Sequence, residues 1–103
     1  MKMIDLIRKI AKRLKEQYGA EQVILFGSNA KGEAGEDSDI DLLIISSTKE
    51  RFFKRQATVR RLVRDLKKKT PFSPIVLTPE EIEDRKKLGD QFIKEILEKG
   101  IRV

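Results

Sequence analysis

A chain of 103 residues carries one compact domain with a modest core, so a single domain over residues 1–103 is expected. No apolar run approaches the roughly 20 residues of a membrane span, and Lys2, Asp5, Arg8 and Lys9 break up Met3, Ile4 and Ile7 where a signal peptide would be uninterrupted, which makes a cytoplasmic protein the expectation. The formal charge of +6 comes with no cysteine and no histidine, which excludes a disulfide framework, a thiolate nucleophile, the usual zinc sites and an imidazole base, and leaves carboxylates, hydroxyls, Lys and Arg to carry any chemistry.

In chain order, Met3, Ile7, Ile10, Ala11, Leu14 and Tyr18 recur at helical spacing, and Gly19 follows as a C-terminal stop. Gln22 to Phe26 is a short apolar run ending at Gly27, too short for a helix and rich enough in branched residues for a buried strand. Gly32 to Ser38 has no apolar period and is expected to be a loop. Ile40 to Ile45 is the second strand, apolar on both faces, so something must cover the second face; a homodimer or a tight hetero-complex is expected to do so.

Ser47 with Glu50 three residues later predicts a capping box and a helix whose Phe52, Gln56, Val59, Val63 and Leu66 share one face, flanked by Phe53 and Leu62. Thr70, Pro71 and Pro74 break it. Ile75 to Leu77 is a third strand, which Pro74 confines to its first position or to a sheet edge. Thr78, Pro79 and Glu81 supply an N-cap, a first-position proline and the acid of a capping box. Leu88-Gly89 interrupts that helix, and Phe92, Ile93, Ile96 and Leu97 form the apolar face of a last one, ended by Gly100.

Charge is distributed in blocks. From Gly19 to Thr48 the charges are Glu21, Lys31, Glu33, Glu36, Asp37, Asp39 and Asp41. From Lys49 to Lys69 the cations Lys49, Arg51, Lys54, Arg55, Arg60, Arg61, Arg64, Lys67, Lys68 and Lys69 face only Glu50 and Asp65. Such a basic helix is either a solvated face in a charge-rich chain, in the ion-pair-rich style of heat-stable proteins, or the footprint of a nucleic-acid binder, though no aromatic platform accompanies it.

The chemistry is expected where the first strand ends in Gly27-Ser28 and the second begins with Asp39-Ile40-Asp41. Residues two apart on a strand point to one side, so both carboxylates enter one space. At about 5 Å and an effective dielectric near 20 their repulsion costs roughly 3 kcal/mol, which a shared divalent cation turns into attraction. Oxygen-only ligands point to magnesium or manganese. Gly27 lets backbone approach a ligand, Ser28 adds a hydroxyl, and the amides that follow can face a phosphate.

The run Val23-Ile24-Leu25-Phe26-Gly27-Ser28-Asn29-Ala30-Lys31-Gly32, followed by Ser38-Asp39-Ile40-Asp41-Leu42-Leu43-Ile44, resembles the minimal nucleotidyltransferases of the DNA polymerase beta superfamily. The likeness extends through Thr78-Pro79-Glu80-Glu81 to Gly100. It implies an α/β (α+β) fold with a small mixed sheet and helices packed mainly on one face. It also implies transfer of a nucleoside monophosphate, AMP from ATP, to a hydroxyl, with Asp39 and Asp41 as catalytic metal ligands and Gly27, Ser28 and Lys31 on the triphosphate. Lys31 stands where arginine is common in the family, and keeps the cation while losing the bidentate fork. The superfamily's third carboxylate would fall at Ser73 or Pro74, neither of which is an acid. Minimal domains of this kind imply a helical HEPN-type toxin as partner, with a tyrosine as acceptor. A degenerate module that binds nucleotide or neutralises a partner without turnover is the alternative.

Overall fold

The computed structural model describes residues 2–32 and 39–103. Its elements run α1 (Met3–Gln17), β1 (Ala20–Phe26), α2 (Ser28–Lys31), β2 (Ile40–Ser46), α3 (Phe52–Leu62), α4 (Arg64–Lys67), β3 (Phe72–Leu77), α5 (Pro79–Lys87), α6 (Gln91–Lys99) and β4 (Ile101–Arg102). Of the loop expected over Gly32–Ser38, residues 33–38 lie outside the described residues.

The four strands form one mixed sheet in the order β3-β2-β1-β4. β1 pairs antiparallel with β2 and β4, whereas β2 and β3 run parallel. Parity along the strands divides the core in two. Val23, Leu25, Ile40, Leu42 and Ile44 face one side, where Ile7, Ile10 and Leu14 of α1 and Val59 and Val63 at α3 close over them. Ile24, Leu43, Ile45 and Leu77 face the other, where Ile82 of α5 and Ile93 and Ile96 of α6 cover a smaller cluster. Each fully buried Ile or Leu adds about 1.5–3 kcal/mol of transfer free energy, so the larger cluster under α1 and α3 dominates. The second face of β2 is therefore covered from within: Leu43 is 0% and Ile45 5% exposed beneath α5 and α6. This corrects the inference that the apolar second face requires another chain.

Local signals fared unevenly. Thr78 accepts from the Glu81 amide while Glu81 accepts from the Thr78 amide, completing the expected capping box at α5. The box expected from Ser47 and Glu50 does not form. Ser47 Oγ donates to Glu21, and the Glu50 carboxylate instead accepts from Tyr18 and Thr58, leaving Arg51 at the start of α3. On α3 the expected face is also rotated: Phe52 and Phe53 are 49% and 71% exposed and Gln56 is exposed, while Arg55 is buried beside Val59.

β3 starts at Phe72, three residues earlier than expected, and Pro74 is tolerated inside it because β3 is an edge. That edge is closed by arginines. Arg60 Nη1 donates to Phe72 O at 2.7 Å and Arg55 Nη1 to Val76 O at 3.2 Å, and Pro74 has no N–H to offer. Among the described residues no helix is long and apolar enough to cross a membrane.

Candidate active site

The residues singled out in the sequence meet at one end of the sheet. β1 finishes at Phe26, and Gly27 turns the chain with φ 75° and ψ −156° into the single turn α2. The Ala30 and Lys31 amides both donate to Gly27 O. Beside this turn, Asp41 is the second residue of β2, in register with Phe26 on β1 and with Ser73 on β3. It shares parity with Leu43 and Ile45, so its carboxylate lies on the face covered by α5 and α6, past the end of that cover.

Gly27 and Asp41 are in direct contact. A Cβ on Gly27 would run into the Asp41 carboxylate, and the positive φ disfavours any side chain there in its own right. The phosphate-type turn and the acidic strand are thus packed against each other. Burial first, and then the neighbouring Asp39 charge, push the Asp41 carboxyl above the usual carboxylate range.

Asp39 immediately precedes β2 and is exposed. Asn29, which had no role of its own in the sequence reading, and Ser73, marked there only as lacking the expected acid, hold it. Asn29 Nδ2 donates to Asp39 O at 2.8 Å, tying α2 to the entry of β2. Ser73 Oγ donates to Asp39 Oδ2 at 3.2 Å. The parallel register sets Ser73 opposite Asp41 and Pro74 opposite Leu42, so Ser73 is the one of the two that stands beside the acids. Glu81 is occupied at the α5 cap and by Arg55, away from this end. Among the described residues no third acid, histidine or cysteine joins Asp39 and Asp41.

Lys31 closes α2 with its side chain exposed. It lines, with Gly27, a cavity of about 240 Å³ whose other walls include Phe26, Phe92 and Ile96. The Phe26 and Phe92 rings meet edge to face, 5.7 Å apart at 86°. The volume is under the ~300 Å³ at which most ligand pockets begin, so it has room for part of a nucleotide and not the whole. A larger cavity, about 520 Å³, opens between α5 and α6 around Gln22, Ile45 and Ile82 and contains none of the motif residues.

Comparison with known proteins assigns the chain to a family. The nucleotidyltransferase domain family matches residues 7–103. The chain belongs to that family. A nucleotidyltransferase-type crystal structure from Sulfolobus solfataricus superposes with a TM-score of 0.61 at 30% identity, over 81% of this chain and 72% of that one. A Methanocaldococcus jannaschii relative that carries the name protein adenylyltransferase is 31% identical over 108 residues, covering 100% of both chains. A second relative of that name and organism is 45% identical over 40 residues, 39% of this chain, and the matched stretch is 46% of the relative's own length. The chain thus spans less than half the length of that second relative. The BolA domain of an Arabidopsis thaliana protein superposes with a TM-score of 0.56 at 19% identity, over 72% of this chain and 92% of that one, and shares the fold alone.

Proposed function

We propose that this nucleotidyltransferase-family chain moves AMP from ATP to a hydroxyl on a protein, with Asp39 and Asp41 holding a divalent metal and Gly27, Ser28 and Lys31 holding the triphosphate. The observation that carries this reading is the contact of Gly27 with the Asp41 carboxylate, since a phosphate seated on the turn then lies beside whatever the acids hold.

The donor set fits a hard cation. Two carboxylates and the Ser73 hydroxyl offer oxygen only, and the raised Asp41 pKa marks a charge that a cation would relieve. Mg2+ or Mn2+ bound there would polarise the α-phosphoryl group and neutralise the departing phosphates. The chain's own residues do the rest. Asn29 fixes the Asp39 backbone against the phosphate turn, and Lys31 adds positive charge on the triphosphate side. The acceptor oxygen bonds to the α-phosphorus, the bond to the pyrophosphate oxygen breaks with its electron pair on pyrophosphate, and the acceptor proton passes to water.

A protein acceptor suits the small open site and the names of the relatives, and a helical HEPN-type partner is the candidate that the family resemblance supplies. The homodimer expected from the apolar second face of β2 has lost that ground, because α5 and α6 cover the face. One observation favours a second reading, a degenerate nucleotide-binding module: Ser73, which stands in register with Asp41 and bonds Asp39, brings a hydroxyl and no third carboxylate to the acids. The nucleic-acid reading is weaker, because Arg55 and Arg60 of the basic helix are committed to the carbonyls of β3.

The test is to incubate the protein with α-labelled ATP, magnesium and the product of the neighbouring gene. Label on that partner, lost in Asp41→Asn, is the expected result. ATP bound in magnesium without any transfer would move the assignment to the degenerate module.

A further inference from the structure

The cationic stretch singled out in the sequence has a part that the fold does not use. Arg55 and Arg60 seal the β3 edge, and Arg13 pairs with Asp65 at 2.7 Å. Lys68 and Lys69, like the other exposed cations of the stretch, make no ion pair among the described residues, and they are the two that lie next to β3.

These two lysines sit at the tip of a tight turn. Thr70 N donates to Lys67 O at 2.8 Å, and Lys68 has φ 49° and ψ −117°. Those angles are the first central position of a type II′ turn, which glycine occupies by preference because a side chain there is strained. Lys68 is the only non-glycine residue with positive φ among the described residues. A strained lysine held out on a turn is an observation from which a functional role can be argued.

The turn leads to the same end of the sheet as the acids. It leads through Thr70 and Pro71, whose carbonyl accepts from Ile40 N at 2.9 Å, into β3 and Ser73. Four extended residues span about 13 Å, so Lys69 lies within that reach of the Ser73 hydroxyl that touches Asp39. This is the outer, β3 side of the acid pair, opposite α2 and the triphosphate. With the triphosphate on α2, an oxygen attacking in line with the departing pyrophosphate would arrive from this side.

We infer that the Lys67–Lys69 turn is the docking surface for the acceptor, and that the acceptor is a protein segment carrying acidic residues within about four positions of its reactive hydroxyl. The inference rests on the transferase reading of the same site. Backbone pairing cannot supply the recognition, because Arg55, Arg60 and Pro74 close the β3 edge; charge is what remains. An RNA end is disfavoured because Phe72, the aromatic next to the turn, is 3% exposed and offers no stacking surface.

The experiment uses labelled tyrosine peptides with acidic, neutral or basic flanks, followed by fluorescence anisotropy and by AMP transfer. The acidic peptide should bind best, and Lys68→Glu with Lys69→Glu should weaken it by about tenfold or more while leaving ATP affinity unchanged. Raising salt should weaken the wild type more than the double variant. Lys68→Gly should raise the melting temperature by relieving the turn, yet lose part of the peptide affinity, separating docking from folding. Equal binding of acidic and basic peptides, no effect of the charge reversal, or an oligoribonucleotide that outcompetes the acidic peptide would overturn the inference. Binding of the peptide without transfer would count against the transferase reading alone.

Discussion

Gly27 is where a single added atom would close the contact between the proposed phosphate turn and the Asp41 carboxylate. Gly27→Ala sets a methyl group against the Asp41 carboxylate at a backbone angle that already disfavours it, at a cost of about 1–3 kcal/mol. Reduced thermal stability together with lost Mg-ATP binding in calorimetry is the expected outcome. Asp41→Asn should behave in the opposite way. It removes a charge that is both partly desolvated and repelled by Asp39, so melting in chelator should occur no lower than for wild type, while metal-dependent ATP affinity falls by at least about a hundredfold. Ser73→Asp adds a third charge beside Asp39. Melting in chelator should fall, and transfer at saturating magnesium should rise by on the order of tenfold, about 1.4 kcal/mol of barrier. An unchanged rate would mean that Ser73 is not at the missing acid's position. The Gly-Ser and Asp-x-Asp pairs were legible because turn chemistry and strand parity are local. The Asn29 bond to the Asp39 carbonyl and the Ser73 bond to the Asp39 carboxylate were not, because each depends on how separate strands pair.

Arg55 shows how an element can be misread by its composition. Helical periodicity over α3 favours Phe52 as the inward residue, but the helix is turned so that Arg55 is 6% exposed. Its guanidinium donates to Glu81 at 2.6 Å, to Val76 O and to Glu50 O, and the Phe52 ring lies over it with the guanidinium carbon 5.6 Å from the ring centroid. One cation thereby joins α3, β3 and the cap of α5, and no apolar side chain could satisfy those three acceptors. Hydropathy patterns score arginine as surface, so such a junction is invisible to them. Arg55→Ala strands a partly buried carboxylate and two carbonyls, and should cost on the order of 3 kcal/mol in urea unfolding. The link is also acid-sensitive. Burial raises the Glu81 carboxyl, but the Arg55 and Thr78 hydrogen bonds together hold it below its usual value. A depressed carboxylate stabilises the fold above its unfolded pKa, near 4.3, and that contribution is lost as pH falls through the folded value. Wild-type stability should therefore decline below about pH 4 more steeply than that of Glu81→Gln, which an acid titration followed by circular dichroism would reveal.

Across the whole molecule, the sheet order puts Asp41 on β2 and Asp39 at its entry, flanked by the turn after β1 on one side and by β3 on the other, a placement that strand-by-strand reading could not provide because β3 joins parallel through a long crossover. The sequence did show that β2 is buried on both faces; what covers the second face became evident only with α5 and α6 in place. Because the cover is internal, ligand binding is expected to report on the stability of this chain itself. ATP and magnesium should each raise the affinity for the other, since the acid pair needs the cation and the cation needs phosphate oxygens to complete its shell. A ligand at a hundred times its dissociation constant adds about 2.7 kcal/mol to folding stability. For a domain of 103 residues that corresponds to a melting shift on the order of 10 °C. The shift should appear with ATP and magnesium together, shrink to a small fraction with either alone, and vanish in Asp39→Asn. A full shift from ATP in chelator would show that the triphosphate is held by the turn and by Lys31 without the acids, and would separate the two halves of the site that the Gly27–Asp41 contact joins.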